Sequence, residues 1–356
     1  MHSPDLTSVS LLVKEKNHAL QVDLHNHRTT VISKTVQSLG ADKAPDILRS
    51  LLGLCPIAQV CAFEAAREAA TGQTIKNLSN RNKLITAEAV LETIRVLSMD
   101  LQPFTIHGKV SPESLRTIGE LRGRLWELSK SPTQDNVALE NFLADLKALV
   151  ILWFAREKIA INAIKHTFER FDDMPMSGQA LLFPEEIHKK EILKLFVNIL
   201  QDYPDWAVSP QWAGARIPGA LARIRSVQNQ GRRNDFRVRD LVLARLEELK
   251  NYASGLLPAF TIESYSLEQG WGAGVVETAR GTLMHFLRFE SGQMQYHIVA
   301  PTEWAFQEES PMVEVMNRYA NKRIGAVKSI VTGINLIACA FDPCTRVTVQ
   351  WPQKEV

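Results

Sequence analysis

"GWGAGVVETARGTLMHFLRFESGQMQYHIVAPTEW" spans Gly270–Trp304. Two runs in it, "GTLMHFLRFES" and "QMQYHIVAP", are rich in β-branched and aromatic residues and read as strands separated by a turn. The glycines (Gly270, Gly272, Gly274, Gly281 and Gly292) raise the question of a phosphate loop at "GWGAG". No strand–loop–helix context follows, and no lysine is placed for a phosphate, so the spacing carries little. Arg280 before Gly281 carries more. A guanidinium next to a residue with no side chain can enter a tight space and donate several hydrogen bonds. The alternative is a surface arginine in a salt bridge.

Upstream, "AFTIESYS" reads as a further strand, and the change of texture begins at Pro258. Before it the chain is helical. "LITAEAVLETIRVLSM" has Thr86 as a candidate N-cap, and "SPESLRTIGELRGRLWELSK" has Ser111 as N-cap with Pro112 at the first helical position. "DNVALENFLADLKALVILWFAREKIAINAIKHTFERF" contains no breaker and predicts one long, mostly buried helix. Further helices are expected near 185–202, 212–228 and 236–254, with loops at 171–184 and in "DYPDWAVSPQW". Residues 42–72 are helical in pattern. Residues 8–35 alternate apolar and polar and predict two or three strands. A last helix, about 311–338, leads into "FDPC". The chain therefore reads as α+β and mainly helical, with a β layer built from both ends.

Composition narrows the function classes. The 356 residues are 45% hydrophobic and 22% charged, with a net charge of +2. That balance makes no general electrostatic case for nucleic acid or a membrane surface. The basic start of "QGRRNDFRVRDLVLARLEELK" reads as a solvated helix face, with a docking patch for an acidic partner as the alternative. "MHSPDLTSVSLLVKEK" lacks the pattern of a signal peptide, and "ALVILWFA" is too short to span a bilayer. The expected location is the cytoplasm.

The four cysteines are too few for a disulfide framework, and they come as one pair near each end: Cys55 and Cys61, Cys339 and Cys344. Cys55-Pro56 places a thiol just before a helix. Free helix N–H groups there would lower its pKa and favour the metal-binding thiolate. Cys344 follows Asp342-Pro343, a turn at a helix end. Each cysteine taken singly could equally be a small buried hydrophobe. The nine histidines are scattered and form no H-x-x-x-H pair. His25 and His27 share a face of a strand, which reads as surface in preference to a metal site.

Three stretches resemble nickel–iron hydrogenase large subunits. "ETARGTLMHFLRFESGQMQYHIVAPTEW" resembles the family's E-A-P-R-G-x-L-x-H followed by a strand pair and P-[ST]-x-W. "FDPC" resembles the start of D-P-C-x-x-C-x-x-H, and "GLCPIAQ" the second half of R-x-C-G-x-C-x-x-x-H. The resemblance implies a hydrogenase large-subunit-like fold, with a central helical bundle, as one domain over residues 1–356. Its parts would be a β-rich segment 8–35, a helical core 42–254, a β segment 259–304, and a C-terminal helix with the FDPC turn over 311–350.

The departures matter as much. The family holds nickel with four cysteines, two of which bridge to iron. Here Cys55 and Cys344 keep one position of each pair, while Leu52 and Val347 take the others. Gln59 and Gln350 stand where the family has histidines, and the chain ends six residues after Gln350, implying no removable tail. The family's early R-[VI]-E-G-H has no counterpart near 11–20. In the family the arginine matching Arg280 bonds an iron-bound cyanide, the hydroxyl residue matching Thr302, after Pro301, binds the second, and the leucine matching Leu283 packs near the carbonyl. His285 falls at the L-x-H position as a structural neighbour, and Asp342 precedes the retained thiol.

This pattern resembles the HupK/HoxV-type hydrogenase maturation proteins. It implies a non-enzymatic scaffold in which Cys55 and Cys344 transiently hold iron with cyanide and carbonyl ligands, and no nickel. The implied partners are a HypC–HypD-type iron-assembly complex and the immature large subunit. Cys61 and Cys339 read as packing residues, with an auxiliary thiol as the alternative. A metal-free structural subunit of a hydrogenase-related complex is the second reading. An active hydrogenase is opposed by Leu52 and Val347.

Overall fold

The computed structural model describes residues 8–27, 30–105, 109–130, 136–212, 214, 216–228, 234–256, 260–322 and 327–351. The expected texture change at Pro258 and the basic start Gln230–Arg233 lie outside these residues.

The chain opens with a hairpin. β1 (Val9–Lys16) and β2 (Ala19–Asn26) pair antiparallel with Lys16 opposite Ala19. The two-residue turn, Asn17-His18, has φ of 52° and 61°, the left-handed conformation that suits the twist of a tight hairpin. Val9, Leu11, Val13, Val22 and Leu24 are buried, so alternation places one apolar face on the core. Two strands form here, not three. Residues from Val31 on are helical, in α1 (Val31–Leu39), followed by α2 (Ala44–Leu51) and α3 (Pro56–Ala70).

α4 (Leu78–Arg95), α5 (Pro112–Ser129), α6 (Asn136–Arg156), α7 (Lys158–Glu169), α8 (Pro184–Ile187), α9 (Lys190–Asp202), α10 (Ala220–Val227) and α11 (Val238–Ala253) make the helical body. Ser111 caps α5 by accepting from Ser114 N, with Pro112 at the first position, as expected. Thr86 does not cap α4. The helix starts eight residues earlier, and the Thr86 hydroxyl donates to Asn82 O and accepts from Phe260 N. The expected long helix is two, broken at Glu157. That residue leaves the helical conformation (φ −97°, ψ 25°), and its buried carboxylate accepts from Ser111 N and from the hydroxyls of Ser111 and Ser114. Nor is α6 mostly buried, since Ile151 and Leu152 are half exposed. The 185–202 helix likewise breaks into α8 and α9, and the 212–228 helix is shortened to α10.

The second sheet is an antiparallel meander of β3 (Ile262–Ser266), β4 (Gly272–Thr278), β5 (Gly281–Glu290) and β6 (Gln293–Val299). β4 holds Gly272 and Gly274 of "GWGAG", and Gly270 ends the short helical turn before it, so that stretch leads into a strand and is no phosphate loop. α3, with Ala58, Ala62, Ala65, Ala66 and Ala69 buried, lies directly on this sheet. A Cβ on Gly274 would fall 2.0 Å from Ala62 O, and one on Gly272 2.1 Å from Ala66 O. Helix and strand backbones thus meet where no side chain fits.

α12 (Pro301–Ala305), α13 (Pro311–Lys322) and α14 (Val327–Ala340) follow. The expected single helix over 311–338 is therefore two, and residues 323–326 between them lie outside the described ones. β7 (Val347–Gln350) then pairs parallel with β1, Val9 opposite Val347. The order β2-β1-β7 joins the two ends of the chain in one sheet, but the expected strands of 259–304 form the separate sheet β3-β4-β5-β6, and β7 falls in the segment read as a helix and turn. Among the described residues, no helix is long and apolar enough to cross a membrane.

The α3–β4 contact predicts that Gly274→Val destabilises the protein by at least about 3 kcal/mol, because backbone must move to admit the side chain. Gly119→Ala, in the exposed interior of α5 with nothing within 4 Å of the new Cβ, should instead stabilise by about 0.5–1 kcal/mol. Urea unfolding of both variants checks this, and equal midpoints for Gly274→Val and the parent would refute the contact.

Candidate metal-thiol site

Cys55 is the N-cap residue of α3, in the left-handed conformation with φ 58°. The β4–β5 turn brings Arg280 to it. Thr278 pairs with Gly281, so the turn consists of Ala279 and Arg280 alone. Thr278 Oγ1 fastens it, donating to Gly281 O and accepting from Arg280 N. Gly281, with φ 121°, takes a backbone that a side chain would strain, and a Cβ there would meet Pro218 at 2.4 Å.

Arg280 is buried and not a surface arginine. Its Nη1 donates to Cys55 Sγ at 3.0 Å. Its Nε reaches Asp342 O and Oδ1, both at 3.2 Å, and its Nη2 reaches Asp342 Oδ1 at 3.1 Å and Glu92 Oε2 at 3.3 Å. Asp342, with φ 51°, begins the turn that carries Cys344. Thr302, at the start of α12, donates to Cys344 Sγ at 3.0 Å and accepts from Cys344 N at 3.1 Å. Cys55, Arg280, Asp342, Thr302 and Cys344 thus form one cluster. Pro301 lines the adjoining cavity with Arg245, Arg280, Thr302 and Asp342.

Other expected residues fall elsewhere. Leu283 is buried in the main core that also contains Cys55. His285 lies beneath α3, bonded to Gln59 Oε1 at 2.8 Å and to the Tyr296 hydroxyl at 2.7 Å. Burial holds it neutral, with a pKa pulled down to about 3. Cys61 is buried in the same core, and Cys339, on α14, is partly buried. Burial pushes both thiols up to about 12. Leu52 packs against the α1–α3 apolar cluster, and Val347 sits in β7. Ser10 Oγ and His27 Nε2 are 3.0 Å apart, and His25 is exposed, in keeping with a surface strand.

One expectation fails in an informative way. Cys55 is not activated by the helix start. Burial raises its pKa well above the ordinary thiol value, and the nearby Arg280 charge only partly offsets this. The helix N–H groups are already taken, since Ile57 N and Ala58 N donate to Glu88 Oε1 and Oε2 at 2.9 and 2.8 Å. Glu88 and Glu92, both on α4, are site residues that motif reading missed. Burial pushes Glu92 upward, but Arg280, Arg95 and Arg122 outweigh it and hold the carboxylate ionised. Burial likewise opposes the Arg280 charge, and Asp342 and Glu92 beside it retain it. Among the described residues, no group of three or more Cys, His, Asp or Glu side chains is arranged to hold a metal ion. The site offers two sulfur donors, a guanidinium and a hydroxyl.

Burial raises Glu88 to about 8 despite its two N–H bonds. The carboxyl is then neutral in the folded protein at pH 7 and ionised in the unfolded chain. A group with a raised folded pKa stabilises most below its unfolded value, near 4.5, and that stabilisation is lost as pH rises through about 8. Glu88→Gln, neutral throughout, should therefore lose less stability than the parent between these pH values. Parallel profiles of melting temperature against pH would show Glu88 ionised in the fold.

No family model matches the chain. In sequence it is similar to the hydrogenase expression/formation protein HupK of Bradyrhizobium diazoefficiens, 25% identical over 312 residues that cover 84% of this chain and 83% of that protein. HupK of Azotobacter vinelandii is 23% identical over 328 residues, 90% of each chain. The hydrogenase expression/formation protein HoxV of Cupriavidus necator is 26% identical over 177 residues, covering 46% of this chain and 45% of that one. In structure, a chain of an NAD+-reducing [NiFe]-hydrogenase in the H2-reduced state superposes with a TM-score of 0.62 over 92% of both chains, at 14% identity. The chain is thus similar in sequence to hydrogenase expression/formation proteins named HupK and HoxV, and it shares the fold of an [NiFe]-hydrogenase chain.

Proposed function

We propose that the protein serves hydrogenase maturation as a non-catalytic scaffold. It holds an iron dicyano-carbonyl unit between Cys55 and Cys344 and passes it to the apo large subunit. The observation that carries this reading is the convergence of two thiols from opposite ends of the chain on Arg280 and Thr302. Soft thiolates suit a low-valent iron, and Leu52 and Val347 leave no further sulfur for a nickel site. Two protein ligands are too few for a bare ion but suffice for an iron that arrives with three diatomic ligands. The unit is cargo, received from a HypC–HypD-type donor complex and released to the immature large subunit.

The donor set fits this cargo chemically. Arg280 supplies charge-assisted N–H bonds and Thr302 a hydroxyl, the groups that buried cyanide nitrogens require. The cavity between Arg245, Arg280, Thr302 and Asp342 is about 20 Å³, room for about one water. Loading therefore opens the cluster, and Arg280 exchanges Cys55 Sγ for the cargo. Binding also displaces the Cys55 proton, so retention of iron should strengthen as pH rises.

Infrared spectra of protein co-produced with the maturation machinery test the reading. Cyanide and carbonyl bands are expected, with iron bound and nickel at trace level. Cys55→Ser and Cys344→Ser should each reduce iron to background, because a serine hydroxyl is a hard, weakly acidic ligand. Cys61→Ser should keep it. Iron lost in Cys61→Ser and kept in Cys55→Ser would reassign the ligands. No diatomic bands, with recovery of electron-transfer subunits in fixed stoichiometry, would favour a metal-free structural subunit. Stoichiometric nickel with hydrogen-dependent dye reduction would overturn both.

A further inference from the structure

Arg280 can meet Cys55 only if the two-residue turn that carries it stays in place. Backbone carbonyls in so short a turn need donors, and one partly buried side chain from α10 provides them. Arg223 Nη1 donates to Thr278 O at 2.8 Å, and Arg223 Nη2 donates to Ala279 O at 3.1 Å. These carbonyls belong to the two residues immediately before Arg280.

Arg223 is itself fixed from three sides. Its Nε and Nη2 take both oxygens of Glu248 at 2.7 and 3.1 Å, and its Nη1 also reaches Glu277 Oε2 at 3.1 Å. Its guanidinium lies 4.8 Å above the centre of the Phe260 ring. Glu277 is braced in turn by His188 Nε2 at 3.3 Å and by the Thr282 hydroxyl. Every N–H direction of the Arg223 fork is therefore committed, two of them to the turn. The segment leading into α10 closes on the same turn. Gly219, with φ 110°, abuts Arg280 O, where a Cβ would come to 3.1 Å. Nothing in this arrangement touches either thiol, so packing of the metal cluster does not explain it.

We infer that Arg223 is a positioning residue, which aims Arg280 at the Cys55 thiol by clamping the Thr278 and Ala279 carbonyls. A long side chain magnifies any tilt of the backbone that bears it. The 3.0 Å contact of Arg280 Nη1 with Cys55 Sγ therefore depends on the clamp. The consequence for bound iron rests on the proposed scaffold reading; the geometric consequence does not.

Arg223→Lys is the discriminating variant. It keeps a cation beside Glu248 and Glu277 but cannot also serve both carbonyls. Its melting temperature should stay close to that of the parent. A crystal structure of the metal-free variant should show Arg280 displaced from Cys55 Sγ. Protein co-produced with the maturation machinery should retain about tenfold less iron, the effect of one charge-assisted bond misplaced, and its cyanide bands should shift. Arg280 still seated on Cys55 in that crystal structure would overturn the inference. So would a lowered melting temperature with unchanged iron and cyanide bands, the signature of a merely structural residue. Should Arg223→Lys not fold, the double variant Arg223→Gln/Glu248→Gln removes cation and anion together and is read in the same way. If the parent itself shows no cyanide bands, the scaffold reading falls, and the crystallographic comparison alone decides the role of Arg223.

Discussion

The buried guanidinium of Arg280 is the constraint around which the site is built. A charge withdrawn from water costs several kcal/mol unless it is paired and hydrogen-bonded. Here the compensation comes from separate parts of the chain: Glu92 on α4, Asp342 after α14, and Cys55 at the head of α3. Each partner is buried, so none is satisfied by solvent if the others move. The electrostatics of one side chain thus tie the helical body to the turn preceding β7. β7 in turn pairs with β1, so the same constraint extends to the first strand. The two cysteine-bearing segments meet because this charge requires them to.

The state of the Cys55 thiol follows from the same burial. Helix starts ordinarily stabilise thiolates, but at α3 that capacity is spent on Glu88. Cys55 is left in a poorly solvated site with the ionised Glu92 carboxylate nearby, which disfavours a second negative charge. A protonated thiol is a poor nucleophile and resists oxidation. Cys55 is therefore chemically quiet, and on the proposed reading a soft metal centre must displace its proton.

Much of this was legible in the sequence, and the failures share a physical origin. Ser111-Pro112 is a local capping signal and was read correctly. "ETARG" and "FDPC" carry both the fold and most of the cluster, because the turn residues that aim the side chains are contiguous there. β4 was missed because Gly272 and Gly274 are selected for the approach of α3, which erases the alternation that marks a strand. The break at Glu157 was missed because its cause, the N-terminus of α5, lies some forty residues away in sequence. Glu88, Glu92 and Arg223 escaped for the same reason, since each acts on a motif to which it does not belong. A signal did exist for two of them. In "LITAEAVLETIRVL" the charges at Glu88, Glu92 and Arg95 recur at helical spacing within an otherwise apolar run, which marks a buried face that must find partners.

The hydrogen bonds around the thiols bear on how a scaffold could both hold and release its cargo. Arg280 donates to Cys55 Sγ and Thr302 donates to Cys344 Sγ. In the proposed reading these same two groups donate to the cyanide nitrogens. Loading then exchanges each donor from sulfur to nitrogen and leaves the number of hydrogen bonds unchanged. Such an exchange contributes little net free energy, because the donors are satisfied in both states. Affinity would rest on two iron–sulfur bonds, reduced by the cost of removing a thiol proton from Cys55. On this account the proton that Cys55 must regain favours release: an acceptor whose two iron-binding thiols ionise more readily would draw the unit away.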